Sequence, residues 1–139
     1  MPSISKFMVK QPWTIGRHAT LDEAHKLMRD HRIRHLPVVD DGELVGIVTQ
    51  RDLHLLESVA EFPLDSVDVE EAMTPNPFVV TSDTALDEVL DIMADHKYGS
   101  VIVMGRDGVE GIFTAVDACR AFAEILRREE MADILGAPP

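Results

Sequence analysis

The chain contains the same unit twice, at an interval of 65 residues, and this repeat constrains the fold more than any other feature. Aligned with itself at that interval, the sequence pairs many identical residues without a gap. The identical pairs are Met8/Met73, Pro12/Pro77, Leu21/Leu86, Asp22/Asp87, Glu23/Glu88, Met28/Met93, Asp30/Asp95, His31/His96, Val38/Val103, Gly46/Gly111, Ile47/Ile112, Thr49/Thr114 and Asp52/Asp117. The repeat predicts two similar halves built from one supersecondary unit.

One repeated stretch carries chemistry: residues 46–52, which return as residues 111–117. Branched apolar residues in each copy predict the end of a buried strand, and the threonine can cap a helix that starts directly afterwards. The aspartate falls in the first turn of that helix. Thr-x-x-Asp is a capping box, but a helix N-terminus also attracts anions, and a carboxylate can accept hydrogen bonds from ribose hydroxyls. Two copies in the same context favour a nucleotide site over capping alone.

Each half is predicted as β-α-β-β-α. The first strands are expected at 13–15 and 78–80, the hairpin strands at 35–39 with 44–49 and at 100–104 with 109–114, and the last helices at 51–61 and 116–130. The pairs Thr20–Glu23 and Thr84–Asp87 match the capping box that starts a helix. Pro37 predicts that its strand lies at a sheet edge or ends there, because proline cannot donate to a ladder.

A unit of about 60 residues buries too little apolar surface to be robust alone. The fold class is therefore predicted as α+β, α/β-like, with two repeats packed sheet to sheet about a pseudo-twofold axis. The expected domains are 1–65 and 66–131, followed by a flexible tail at 132–139. Such packing leaves two equivalent clefts, into which the corners at Thr49 and Thr114 are expected to open.

Composition excludes several classes of function. A net charge of −12 argues against nonspecific binding to nucleic acid or to acidic lipid. No apolar run approaches the length that spans a membrane. The single cysteine, Cys119, fits a reducing cytoplasm and is expected to be a small core residue on the apolar side of the last helix.

The repeated motifs resemble the cystathionine-β-synthase (CBS) domain, over residues 33–42 with 46–53 in the first half and from Met73 to Asp117 in the second. The resemblance covers about residues 8–130 and implies a Bateman module without an attached enzyme, channel or transporter. It also implies an adenosine-containing ligand, such as AMP, ADP, ATP or S-adenosylmethionine and sometimes NAD or a diadenosine compound. Such modules regulate a separate partner protein and commonly form homodimers.

The resemblance also assigns roles to individual residues. Asp52 and Asp117 are expected to take the ribose hydroxyls, and Thr49, Arg51 and Thr114 to meet the phosphate. The adenine pocket is expected to be lined by Thr14, Ile15, His35, Leu36, Pro37, Val79, Val80, Ser100, Val101 and Ile102. The halves differ because Arg34, His35 and Arg51 become Gly99, Ser100 and Val116, so the two sites are expected to be unequal.

Other readings of the sequence remain open. The six histidines show no ligand spacing that predicts a metal site, and no nucleophile is paired with a base, so no catalytic residue and no enzyme activity are predicted. The alternative function is a protein-interaction or dimerisation module whose clefts are vestigial and bind no ligand.

Overall fold

A computed structural model describes residues 1–59 and 61–136. Within these residues the chain forms eight strands and four α-helices, which confirms the mixed α and β class. The strands are β1 Val9–Lys10, β2 Ile15–Gly16, β3 His35–Asp40, β4 Glu43–Thr49, β5 Thr74–Pro75, β6 Val79–Val80, β7 Ser100–Gly105 and β8 Gly108–Thr114. The helices are α1 Leu21–His31, α2 Gln50–Val59, α3 Leu86–His96 and α4 Ala115–Leu135.

The strands form two four-stranded sheets of the same design, in the orders β2-β3-β4-β5 and β6-β7-β8-β1. Each sheet is built on an antiparallel hairpin, β3-β4 or β7-β8, and a short parallel strand, β2 or β6, flanks it. Both hairpins carry an irregularity in register at the equivalent place, between Val38 and Val39 and between Val103 and Met104. The duplication predicted from the sequence is therefore reproduced at the level of strand pairing.

The halves exchange their outermost strands, which the sequence reading did not predict. β1, from the start of the first repeat, pairs antiparallel with β8 of the second half, whereas β5, from the start of the second repeat, pairs with β4 of the first. Each exchanged strand follows a short 3₁₀ turn, Ile4–Lys6 or Val69–Glu71.

Each half has its own hydrophobic core between its sheet and its helices. Alternate residues of the central strands, such as Leu36 and Val38 in the first half, are fully buried there, as alternation along a strand requires. The exchanged segments complete both cores: Val69 lies in the first core and Ile4 in the second. The domain boundary at residue 65 stays a prediction. A segment from each half packs into the core of the other half, so the repeat boundary in the sequence is not a boundary between the two cores.

The capping box predicted at the first helix of each half forms in the first half only. Thr20 and Glu23 form the predicted capping box at the start of α1. The predicted box at Thr84 and Asp87 is wrong, because Ala85 occupies the N-cap position of α3 and Thr84 lies one residue outside the helix. The N–H of Glu88, which a capping box would bond, donates to Asp87 Oδ1 at 2.9 Å instead. The N–H of Leu86 donates to the carbonyl of Pro2 at 2.9 Å, as that of Leu21 does to Val67 at the start of α1.

Three further expectations are corrected. The edge position predicted from Pro37 is wrong: β3 lies inside its sheet, and β2 pairs with it only at Val38 and Val39, after the proline. Helix α4 does not end at 130 but continues to Leu135, where Gly136 caps it in the left-handed conformation, so the start of the predicted tail is helical. Cys119 is exposed and is not a core residue.

Among the described residues, no helix combines the length and the apolar character needed to cross a membrane.

Candidate functional site

The two repeated corners have the same local geometry, and both are true capping boxes. At the first, the N–H of Thr49 donates to Asp52 Oδ2 at 2.9 Å, and the N–H of Asp52 donates to Thr49 Oγ1 at 3.1 Å. At the second, the corresponding distances between Thr114 and Asp117 are 2.9 and 3.3 Å. The capping interpretation is therefore satisfied at both corners, and any ligand role of these side chains is additional to it.

Most N–H groups at the starts of α2 and α4 are already hydrogen-bonded within the chain, so few remain free to hold an anion. The N–H of Gln50, the first residue of α2, donates to the carbonyl of Arg34 at 2.9 Å, and Ala115 donates to Gly99 in the same way at 3.0 Å. With the third N–H bonded to the threonine hydroxyl, the second one, on Arg51 or Val116, is left for a ligand at each helix start. Both of these residues are exposed.

His35 lies where the two corners approach each other. It pairs with Thr49 across the β3-β4 hairpin, and a Cβ atom added to Gly99 of the other half would lie 3.6 Å from its Nε2. Partial burial, and then the charge of Arg34, lower the pKa of His35, whereas the negative charges of Asp117 and Asp52 oppose that shift. His35 therefore lies close enough to both carboxylates for each to oppose the lowering of its pKa.

The predicted pocket residues fall into two groups, because successive side chains of a strand point to opposite faces of the sheet. Leu36 and Val101 lie in the helix-side cores and are fully buried, so their side chains are not available to a ligand. Their neighbours His35, Pro37, Ser100 and Ile102 point to the opposite face of the sheets. Pro37 pairs with Ile47 and Ile102 with Ile112 across the two hairpins, which gives this face an apolar floor, but Pro37 and Ile102 are buried as well, so the floor is covered by other parts of the chain.

The first strand of each half lies alongside that floor. Ile15 pairs with Val38, and Val79 and Val80 pair with Ile102 and Val103. The side chain of Ile15 belongs to the first core, while Thr14 is half-buried and Val79 is exposed. Backbone groups, rather than the Ile15 side chain, are what this strand can offer to a base.

A cationic cavity adjoins the first corner and has no counterpart in the sequence of the second half. It has a volume of about 400 Å³, and its lining comprises His25, Met28, Arg29, Arg32, Ile33, Arg34 and Gln50. The repeat partners of its three arginines are Ala94, Lys97 and Gly99. Two larger cavities, of about 680 and 500 Å³, include neither Asp52 nor Asp117 in their linings.

A second polar cluster, which sequence reasoning missed, lies where the segment between the repeats meets the first half. Arg17 donates to Glu70 Oε2 at 2.9 Å and to Asp40 Oδ2 at 3.0 Å, and these hydrogen bonds raise the pKa of its guanidinium. His18 Nδ1 lies 3.2 Å from Asp68 Oδ2. The cluster joins residues more than 50 positions apart, and no local motif signals it.

Comparison with known proteins identifies the repeated unit. The family model described as CBS domain matches the chain twice, over residues 4–56 and 69–124. Both ranges begin at the 3₁₀ turn that precedes an exchanged strand, and together they cover most of the chain.

Two curated relatives match this chain, and each also has sequence outside the matched region. The chain is 34% identical over 112 residues to an inosine-5'-monophosphate dehydrogenase of Korarchaeum cryptofilum, covering 80% of this chain and 22% of that protein. It is 42% identical over 97 residues to the uncharacterized protein YlbB of Bacillus subtilis, covering 68% and 65%. The chain thus spans about a fifth of the first relative and just under two thirds of the second.

Solved structures give the same result. The CBS domain pair of protein MJ0100, in complex with 5'-methylthioadenosine and S-adenosyl-L-methionine, matches with a TM-score of 0.80 and 30% identity, covering 89% of this chain and 98% of that one. CBSX2 in complex with AMP matches with a TM-score of 0.75 and 25% identity, covering 90% and 98%. The same protein was also solved as CBSX2 from Arabidopsis thaliana, with a TM-score of 0.76.

Proposed function

The chain belongs to the family of CBS-domain proteins, and from that premise we propose that it is a regulatory module that binds an adenosine-containing ligand and modulates a separate protein. The observation that carries the proposal is the geometry of two equivalent Thr-x-x-Asp corners, with His35 of the first half beside Gly99 of the second and the buried apolar residues Pro37 and Ile102 between the corners and the cores. A base needs apolar walls and a few polar groups, and ribose needs a nearby carboxylate. Both are available at this seam.

The proposed ligand positions follow from these placements. Asp52 and Asp117 would accept from ribose hydroxyls through the carboxylate oxygen atoms that capping leaves free. The strand at Thr14 and the one at Val79 would meet the base edge with backbone groups. Similarity to structures that contain AMP, S-adenosylmethionine and methylthioadenosine supports an adenosyl ligand of this kind.

The two sites are proposed to differ in the charge that they accept. The arginine-lined cavity adjoins Thr49 through its neighbour Gln50, and Arg51 is exposed beside it. Guanidinium groups bind phosphate strongly, so the first site should prefer a nucleotide with a phosphate chain. The second site, with Gly99 and Val116 in place of Arg34 and Arg51, should tolerate an uncharged tail.

Isothermal titration calorimetry with AMP, ATP and S-adenosylmethionine tests the proposal, and the capping boxes dictate which variant to use. Alanine at Asp52 would remove a cap as well as a ligand group. Glutamate preserves the box, because Thr20 and Glu23 form the same box in α1 at 3.0 and 3.2 Å, but it moves the carboxylate by one methylene. We expect Asp52→Glu and Asp117→Glu to unfold within about 0.5 kcal/mol of wild type.

The same two variants should weaken binding at least tenfold, each at its own site. No heat from any of the three ligands at millimolar concentration would overturn the proposal. Unchanged affinity in both glutamate variants would instead show that a ligand binds elsewhere, because their caps remain intact.

The alternative, an interaction module without a ligand, is favoured by one observation: an exposed apolar row on α4. Val116, Phe122 and Leu126 are 47, 62 and 46% exposed and, with Cys119, lie at the spacing of one helix face. We propose that this row is the contact of a homodimer. Light scattering after gel filtration should give twice the chain mass, and Leu126→Glu should give the monomer.

The remaining parts of the proposal concern catalysis, the regulated partner and the cellular location. We propose no catalytic activity, since the site pairs no nucleophile with a base, and we propose a protein rather than a nucleic acid as the regulated partner, given the net charge of −12. A reducing, cytoplasmic location remains a prediction from the single cysteine.

A further inference from the structure

The polar cluster between the halves has the donors of a transition-metal site. His18 lies on the loop between β2 and α1, and Asp68 and Glu70 lie at the 3₁₀ turn that follows the first repeat. One ligand atom from each of the three residues can be chosen so that all three atoms lie within 4.8 Å of one another. Imidazole with carboxylates suits zinc and its neighbours better than magnesium or calcium, which prefer oxygen alone.

The distances between donors fit a single ion. His18 Nδ1 lies 3.2 Å from Asp68 Oδ2 and 3.9 Å from Glu70 Oε1. Zinc bonds of about 2.1 Å at tetrahedral angles place two donors about 3.4 Å apart. The two separations from His18 lie on either side of that value, and the oxygens of Asp68 and Glu70 lie within 4.8 Å of each other, so rotamer changes that draw the two carboxylates together would bring all three donors onto one ion. His18 is 70% exposed, which leaves an open side for a water ligand.

The two segments that carry the donors are fixed to each other by their backbones. The N–H of Leu21 donates to Val67 at 2.9 Å, that of Val69 to Ala19 at 2.7 Å and that of Glu70 to Arg17 at 3.1 Å. Val69, between the two acidic residues, is fully buried in the first core. Such a support holds the acidic groups in place before an ion arrives, which reduces the entropy lost on binding.

Arg17 holds one of the acidic donors, Glu70, in position and leaves one of its carboxylate oxygens facing His18. The guanidinium binds Glu70 through Oε2, at 2.8 Å from its NH2 nitrogen, and also binds Asp40. Glu70 Oε1 is the oxygen that faces His18. A hydrogen-bonded carboxylate of this kind is the usual outer support of a metal ligand.

The repeat supplies an internal comparison. At the interval of 65 residues, His18, Asp68 and Glu70 correspond to Asp83, Ser3 and Ser5, and Arg17 corresponds to Ser82. The backbone arrangement is reproduced in the second half, since Ser3 forms a bridge with Ala85 as Asp68 does with Thr20. The scaffold is therefore shared, but only the first half carries an imidazole with two carboxylates.

We propose that His18, Asp68 and Glu70 form a site for a divalent transition-metal ion of the zinc class, which clamps the segment between the repeats onto the first half. The ion would link β2 to the turn that leads into the exchanged strand β5. Because it binds the folded chain, it would raise the melting temperature by mass action.

Calorimetry with zinc chloride, on the full chain after treatment with a chelator, tests the proposal. We expect one ion per chain and a melting temperature that rises with zinc. His18→Ala and Asp68→Asn should each weaken binding roughly tenfold or more. His96→Ala, at another exposed histidine, should leave the affinity unchanged.

A gain-of-site variant tests the same proposal without removing anything from the first half. Placing Asp at Ser3, Glu at Ser5 and His at Asp83 rebuilds the donor set on the equivalent scaffold, and the stoichiometry should rise from one ion to two. A zinc affinity that is unchanged in His18→Ala, or no binding to the wild-type chain at millimolar zinc, would overturn the proposal.

Discussion

Replacement of Gly46 by alanine tests the exchange of strands between the halves. Gly46 lies in β4 opposite Pro75 of the exchanged strand β5. A Cβ atom at this position would lie 2.6 Å from Met73 Sδ and 2.9 Å from the backbone oxygen of Thr74. Ordinary contacts between such atoms begin at about 3.5 Å, so both neighbours would have to move.

The two neighbours differ in their freedom to move. The Met73 side chain is flexible and can adopt another rotamer at low energy. The Thr74 oxygen lies at the ladder between β4 and β5, so its displacement weakens the pairing of the exchanged strand, which joins Gly46 with Pro75 and Ile47 with Thr74. Overpacking of this kind costs about 1–3 kcal/mol, from which the smaller backbone entropy of alanine in the unfolded chain subtracts about 0.5 kcal/mol.

We therefore expect Gly46→Ala to lower the free energy of unfolding by about 0.5–2.5 kcal/mol, measured by urea denaturation, and the melting temperature by roughly 2–10 °C. Gly111→Ala should behave alike, since its Cβ would lie 2.5 Å from Met8 Sδ and 3.0 Å from the backbone oxygen of Val9. Gly16→Ala is the matched control: it is also a strand glycine, but no atom lies within 4 Å of its Cβ. Equal stability of all three variants would refute the exchange.

Three further predictions concern the corners and the cores. Thr114→Ala should destabilise the chain by about 1 kcal/mol in urea unfolding through loss of the α4 cap, and Thr114→Ser should restore it. Because burial and Arg34 lower the pKa of His35, the unfolded chain takes up this proton first; the free energy of unfolding should therefore fall as the pH drops below about 6.5, and fall less in His35→Gln. Phe113→Ala, in the second core, should cost about 3–5 kcal/mol in urea unfolding, whereas Phe122→Ala, on the exposed face of α4, should cost less than about 0.5 kcal/mol in the monomer.

The duplication and most element types could be predicted because long periodic segments carry strong local signals. The exchanged strands could not, since Val9–Lys10 and Thr74–Pro75 are two residues each, too short for any periodicity. A signal was nevertheless present in the repeat. Identical glycines in strands at Gly46 and Gly111, with identical methionines at Met8 and Met73, indicated a close backbone approach in both halves, which the structure assigns to the exchanged strands.

The two helix-start corners were predicted correctly, whereas the ligand roles of their residues stay a prediction. The corners form where the motif placed them, since Thr-x-x-Asp specifies a helix start by itself. Assignment of consecutive residues to one pocket, as for Leu36 and Pro37, neglected the alternation of side chains along a strand. The contact between His35 and Gly99 joins the two halves, and no single segment encodes it.

The two repeats have kept residues of the scaffold but differ in charged residues, and this difference bears on how such a module could respond to a ligand. Gly46 and Gly111, which admit the exchanged strands, are identical, so the scaffold is held in common. The imidazole and guanidinium groups at His18, His35 and Arg34 occur in the first half alone. If the proposed function is correct, a ligand bound at the first corner would lie close to His35, which also lies near Asp117 of the second corner, while the exchanged strands tie each core to the other half. Unequal occupancy of the two proposed sites would then favour one relative position of the halves over another, and that population shift is the change that the proposed partner would have to detect.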